Sequence, residues 1–133
     1  MTSFFADTWF FIALLDRDDS RHAEALAWIN ASQDFIVTTR WVLAETANAL
    51  GGTSVRKQAT GLLNQIEADP GFTVVRQSDD FYERGLILYS ERPDKNWSLT
   101  DCISFVVMEA HGITEALTGD RHFEQAGFRP VFV

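Results

Sequence analysis

In 133 residues the chain has a single cysteine, Cys102. That excludes an internal disulfide and leaves too few thiolates for a structural zinc site, so Cys102 reads as a packing residue. Basic residues are also scarce: 11 Lys and Arg stand against 19 Asp and Glu, a formal net charge of −8. This balance argues against attachment to nucleic acid through a broad basic surface. It leaves room for an enzyme that meets phosphate through bound cations, because a divalent metal reverses the local field where carboxylates gather. Long apolar runs are missing too. Met1 to Ile12 is broken by Asp7 and has no basic flank, so neither a secretory signal nor a membrane span is expected, and the chain is read as cytoplasmic. No internal repeat or low-complexity segment appears. With 46% hydrophobic and 23% charged residues the composition is globular, and the length suits one domain over residues 1–133.

Short strands alternate with helices along the chain. Ser3 to Ala6 reads as a buried strand ending at Asp7-Thr8, and Trp9 to Leu15 as a helix with a broad apolar face. Asp19 or Ser20 is expected to cap a second helix to about Ala31, with Ala25, Leu26 and Ile29 inward and His22 exposed in its first turn. Phe35 to Thr38 is β-branched and too short for a helix, so a second strand is placed there, followed by a helix opening at Arg40 or Trp41 and ending at Gly51-Gly52. Ser54 is expected to cap a helix through Ala68, and Asp69-Pro70-Gly71 is a turn. Phe72 to Val75 is a third strand. Ser78, with Asp79 and Asp80 behind it, opens a helix that Pro93 stops.

The stretch Trp97 to Phe128 carries the most telling pattern. Ser98 and Asp101 stand at the spacing of a capping box before the apolar run Cys102, Ile103, Phe105, Val106, Val107. After His111-Gly112, residues Ile113 to Thr118 read as a strand, Asp120 follows its carboxyl end, and Arg121-His122-Phe123 opens a new turn. Arg129 to Val133 is read as an edge strand. Alternation of this kind implies a three-layer α/β/α sandwich around a central, mainly parallel sheet. In such sheets ligands lie beyond the carboxyl ends of the strands, where strand order reverses.

Four acids could meet there: Asp7, Glu45, Asp101 and Asp120. Singly, each has an ordinary explanation. Asp7 suits an N-cap, and Glu45 a solvated helix position, although Asn48 shares its face. Together they repel, and crowding them is costly without a cation. Magnesium or manganese would serve, being hard ions that take carboxylates plus substrate phosphate oxygens, and no set of histidines or cysteines competes for zinc.

FADTWFFIALLD, WVLAETANAL, WSLTDCISFVVMEAHGI and ALTGDRHFEQAGF, taken together over nearly the whole chain, resemble the PIN-domain ribonucleases, particularly the VapC-type toxins of type II toxin-antitoxin pairs. The resemblance implies a PIN-like fold and a metal-dependent endoribonuclease with Mg²⁺ or Mn²⁺ held by Asp7, Glu45, Asp101 and Asp120. It also implies hydrolysis by metal-activated water, leaving a 5′-phosphate and a 3′-hydroxyl. Thr8, Asn48, Ser98 and Thr118 are candidates to orient these acids. Arg40, Lys95 and Arg121 are candidates for RNA phosphate contacts, and Trp97 or His122 for base stacking, with core packing favoured for Trp97. Implied partners are an RNA substrate, a cognate antitoxin and a second copy in a homodimer. Gly119 departs from the family pattern, where many members carry a bulkier or acidic residue. The rival readings are a receiver-like or phosphatase-like Mg-dependent phosphoryl-transfer domain, for which Asp7 lacks a neighbouring acid, and an inactive PIN module that only binds RNA or protein.

Overall fold

The computed structural model describes residues 2–133. Five strands, β1 (Ser3–Ala6), β2 (Phe35–Thr39), β3 (Phe72–Val75), β4 (Glu115–Leu117) and β5 (Arg129–Pro130), form one sheet in the order β3-β2-β1-β4-β5. Every neighbouring pair is parallel. Seven helices join them: α1 (Thr8–Leu15), α2 (His22–Ala31), α3 (Arg40–Leu50), α4 (Arg56–Ala68), α5 (Asp79–Glu91), α6 (Leu99–Ala110) and α7 (Arg121–Gln125). The expected three-layer α/β/α architecture is the one found. From β1 the chain moves outward through β2 to β3, then crosses back to β4 and β5. Right-handed crossovers put α1 to α4 on one face of the sheet and α5 to α7 on the other. The alternation of β1 side chains agrees: Phe4 meets Trp28 of α2 edge-on at 5.1 Å, whereas its neighbour Phe5 meets Phe123 of α7 at 6.3 Å.

The core is aromatic on both faces. Phe5, Phe10, Phe11 and Phe123 are completely buried, and Phe105 and Trp97 nearly so. Cys102 lies buried among them, and burial pushes its thiol up to about 11, which suits packing rather than nucleophilic chemistry.

Local differences from the sequence expectations have local causes. Helix α2 starts at His22 after Arg21, and the Asp19 carboxylate holds the preceding turn by accepting from the Arg21 N–H at 2.8 Å, so neither Asp19 nor Ser20 is the cap. Leu26, expected inside, is 41% exposed, because α2 offers the interior only Ala25 and partly Trp28 and Ile29. His22 is not free at the surface: its Nδ1 lies 2.7 Å from the Ala13 carbonyl. Helix α4 begins at Arg56 with Val55 before it, two residues past the expected Ser54 cap. Strand β4 is trimmed to three residues, since only that segment matches the short edges of β1 and β5.

Strand β1 is the hinge of this order. β2 and β4 flank it, the chain leaving it in one direction and returning on the other side, so the strand-order reversal lies between β1 and β4.

Candidate metal centre

The register Ala6↔Leu117 sets the residues that follow β1 and β4 side by side. Asp7 is the N-cap of α1 by position, yet its side chain makes no capping bond. Instead its Oδ2 accepts from the Thr118 hydroxyl at 3.0 Å, while Asp7 N–H reaches the Leu117 carbonyl at 3.4 Å. The carboxylate is thereby turned into the cleft and held there, 4% exposed. Thr118 serves both sides of the reversal, because its Oγ1 also accepts from the Asp120 N–H at 3.0 Å.

Asp101 and Asp120 each do two things at once. The capping box of α6 is complete: Ser98 Oγ accepts from Asp101 N–H at 3.0 Å, and Asp101 Oδ2 accepts from Ser98 N–H at 3.1 Å. Asp120 caps α7 through Oδ1, which accepts from His122 N–H at 2.9 Å. Capping fixes the orientation of each carboxylate at a helix start, where the free N–H groups favour negative charge.

His122, expected only as a candidate for base stacking, enters this centre. Its Nδ1 lies 3.0 Å from Asp101 Oδ2 and 3.5 Å from Asp120 Oδ2. Asp101, Asp120 and His122 each offer one ligand atom, all within 4.8 Å of one another. A histidine therefore stands among the donors, where none was foreseen from sequence. The signal available was faint: position 122 is two residues past the capping Asp120, in the first turn of a helix whose cap already faces the cleft.

Glu45 approaches from α3. It is half-buried, and the Thr8 hydroxyl, one residue past Asp7, donates to its Oε1 at 2.6 Å. Asn48, offered as its neighbour on the same face, is exposed and bonds to none of these acids among the described residues. Arg40 is bound through two nitrogens to Glu67 at 2.9 Å each, and Arg121 is exposed against Glu124. Trp97 is 6% exposed, with Arg92 over its ring at 5.1 Å and its Nε1–H donating to Gln125, so its faces are not open to a base. The notable fit is Gly119: a Cβ there would come within 2.5 Å of the Trp9 indole, so the missing side chain is space that Trp9 fills.

The electrostatics reflect crowding. The Asp7 carboxyl is pushed up to about 7, mainly by burial and next by the charge of Asp101, with Asp120 adding to it against the Thr8 and Thr118 hydrogen bonds. Asp101 is also raised, again by burial first, although Ser98 N–H and His122 favour its anion. Carboxylates that hold their charge only at a cost, beside an imidazole nitrogen, form a donor set suited to a divalent cation. Oxygen ligands accommodate Mg²⁺ or Mn²⁺, and the imidazole is better matched to Mn²⁺ than to Mg²⁺.

Comparison with known proteins supplies the context for this geometry. The PIN domain profile matches residues 4–129. The 23S rRNA-specific endonuclease VapC20 of Mycobacterium tuberculosis is 28% identical over 124 residues, covering 93% of this chain and 94% of that protein. The crystal structure of that VapC20, a sarcin-ricin loop cleaving toxin, superposes with a TM-score of 0.88 over 98% of both chains. A toxin-antitoxin complex from Klebsiella pneumoniae (19% identity, TM-score 0.62, 89% of this chain and 87% of that one) and FitAcB from Neisseria gonorrhoeae (16%, 0.65, 98% and 96%) share the fold.

Proposed function

The chain belongs to the PIN-domain family, and on that premise we propose that it is a metal-dependent endoribonuclease of the VapC toxin type, acting in the cytoplasm, with residues 1–133 forming one domain. The observation that carries this reading is the convergence at the strand-order reversal of Asp101, Asp120 and His122, with ligand atoms within 4.8 Å of one another, and of the buried Asp7, which feels the charges of both aspartates.

In this reading Asp101, Asp120 and His122, whose ligand atoms lie within 4.8 Å of one another, hold the ion, and Asp7, near enough for the charges of both aspartates to be felt, completes the set. A bound Mg²⁺ or Mn²⁺ would supply Lewis acidity, lowering the pKa of a water and offsetting charge at phosphorus. Glu45, fixed by Thr8, orients the attacking water toward the scissile phosphodiester, in line with the departing 3′-oxygen. Thr118 fixes the Asp7 carboxylate in the cleft, and Ser98 fixes that of Asp101, as a set that would hold the ion. No side chain becomes covalently attached, and the products carry a 5′-phosphate and a 3′-hydroxyl. The partners in this reading are RNA and an antitoxin whose basic segment complements the acidic cleft. The specificity of the M. tuberculosis relative makes 23S rRNA the first substrate to try, with tRNA and messenger RNA alongside.

The test incubates the protein with these RNAs in Mg²⁺ or Mn²⁺, with EDTA and Asp7→Asn as controls. Cleavage is expected with metal, and its loss in both controls. Cleavage indifferent to EDTA and to Asp7→Asn would overturn the mechanism.

A further inference from the structure

The acidic centre poses a problem for its own substrate. An ion can neutralise the phosphate being cut, but the RNA strand continues past it with further phosphates, across a protein of net charge −8. Cations beside the centre are therefore needed. Two of the three expected ones are engaged elsewhere: Arg40 is clamped by Glu67, and Arg121 is paired with Glu124.

The α5–α6 connection presents a different arrangement. A groove of about 580 Å³ opens there, lined among others by Arg92, Lys95, Asn96, Trp97 and Ser98. One end of its wall is Ser98, whose backbone and hydroxyl are both bonded to Asp101. Arg92 is held in place from two sides, stacked over Trp97 at 5.1 Å and bound through Nε and Nη2 to Asp94 at 3.0 Å each. Its Nη1 has no protein partner among the described residues. Lys95, half-buried in the same wall, belongs to no ion pair among the described residues. Trp97 makes this wall rigid, since its Nε1–H is anchored on Gln125 of α7, the helix that carries His122. Two cations and an amide thus line a groove whose edge is bonded to Asp101.

We propose that this groove is a subsite for the RNA backbone next to the scissile bond, with Lys95 contacting the neighbouring phosphate and Asn96 offering hydrogen bonds to the adjoining nucleotide, while Arg92, paired with Asp94, holds the wall. This rests on the endoribonuclease reading above and extends it to the path of the substrate. Lys95 supplies a mobile point charge that no carboxylate of the described residues holds.

Binding is measured by fluorescence anisotropy with a short fluorescein-labelled single-stranded RNA of mixed sequence, in the Asp7→Asn background so that the probe stays intact. Lys95→Ala is expected to weaken binding about 3- to 10-fold at low salt and to flatten the log–log salt dependence by about 0.7, the loss of one phosphate contact. Lys95→Glu is expected to weaken it further, while Lys57→Ala, on the exposed surface of α4, changes it less than about twofold. In the otherwise wild-type enzyme Lys95→Ala is expected to raise KM and leave the Mn²⁺-induced rise in Tm unchanged. Binding by Lys95→Ala equal to its parent, or an equal loss in Lys57→Ala, overturns the subsite. If the wild-type protein cleaves RNA in a metal-dependent way while Lys95→Ala behaves as its parent, only the subsite falls; if the wild type neither binds nor cleaves RNA, the endoribonuclease reading falls with it.

Discussion

Asp7 shows how much one residue can report about the centre. Its ordinary value is 3.8 and burial beside Asp101 and Asp120 raises it to about 7. Between those values the folded protein keeps a proton that the unfolded chain has released, so stability declines as pH rises through that window. Asp101, shifted upward as well, works in the same direction. In EDTA, Tm is therefore expected to be higher near pH 5 than near pH 8. Mn²⁺ reverses the penalty by binding only the folded state, so its stabilising effect is expected to be largest near pH 8 and to shrink below about pH 7, where a proton competes for Asp7. Asp7→Asn removes the competing charge and is expected to flatten the profile in EDTA. Thermal melts across pH with and without Mn²⁺ check this; an EDTA profile that is flat for the wild-type protein would remove the argument for a strained carboxylate cluster.

At the scale of the element, what could be read from sequence was whatever neighbours along the chain decide. The Ser98–Asp101 box, the Ser78 cap, the turn at Asp69 and the strand-helix alternation are local, and each stands where expected. Parallel order followed from alternation; Asp7, Asp101 and Asp120 stood out by their places at changes of secondary structure, whereas Glu45, inside α3, had only the face it shares with Asn48 and the family resemblance to mark it. What escaped depends on contacts between distant segments. His122 meets Asp101 across 21 residues, and although Thr118 was named as an orienting residue, which acid it holds, Asp7 at a separation of 111, was not. Asn48 lies one turn from Glu45 and shares its helix, but α3 turns it to solvent. Helix packing hides a similar requirement at Gly85. A Cβ there would lie 2.4 Å from Ile103 Cγ1 and 3.0 Å from its Cα, so α5 and α6 touch backbone to backbone, with no room even for a methyl group. Gly85→Ala would be expected to gain helix propensity on an exposed helix; here it is expected to lose about 1–3 kcal/mol by forcing the helices apart. Urea unfolding of Gly85→Ala, set against Gly61→Ala, where nothing lies within 4 Å of the added Cβ, separates the two effects. Equal stability changes in the two variants would show that α5 and α6 yield without cost.

At the scale of the whole molecule, α5 carries an apolar surface that the fold itself does not use. α5 turns Gly85 and partly Phe81 and Leu88 toward α6, while Tyr82, Leu86, Ile87 and Tyr89 stand 43–55% exposed on the same helix. Tyr82, Leu86 and Tyr89 follow the i, i+4, i+7 spacing of one stripe, continuous rather than scattered, the kind of patch that marks an interface. Because a two-fold dimer uses the same patch twice, a helix with such a stripe can pair with its own copy. On this ground the homodimer that the family resemblance implies is expected to pair along α5. The position bears on the proposed subsite, since α5 runs directly into the Arg92 to Trp97 loop and pairing there would set how the two grooves face each other. Light scattering is expected to find a dimer for the wild-type protein at micromolar concentration and a monomer for Leu86→Glu/Ile87→Glu. Far-ultraviolet circular dichroism and the Mn²⁺-induced rise in Tm should be retained in the double variant, because neither side chain belongs to the core or the metal centre. A wild-type monomer, or a double variant that remains dimeric, would move the interface off α5 and leave its stripe to a different partner.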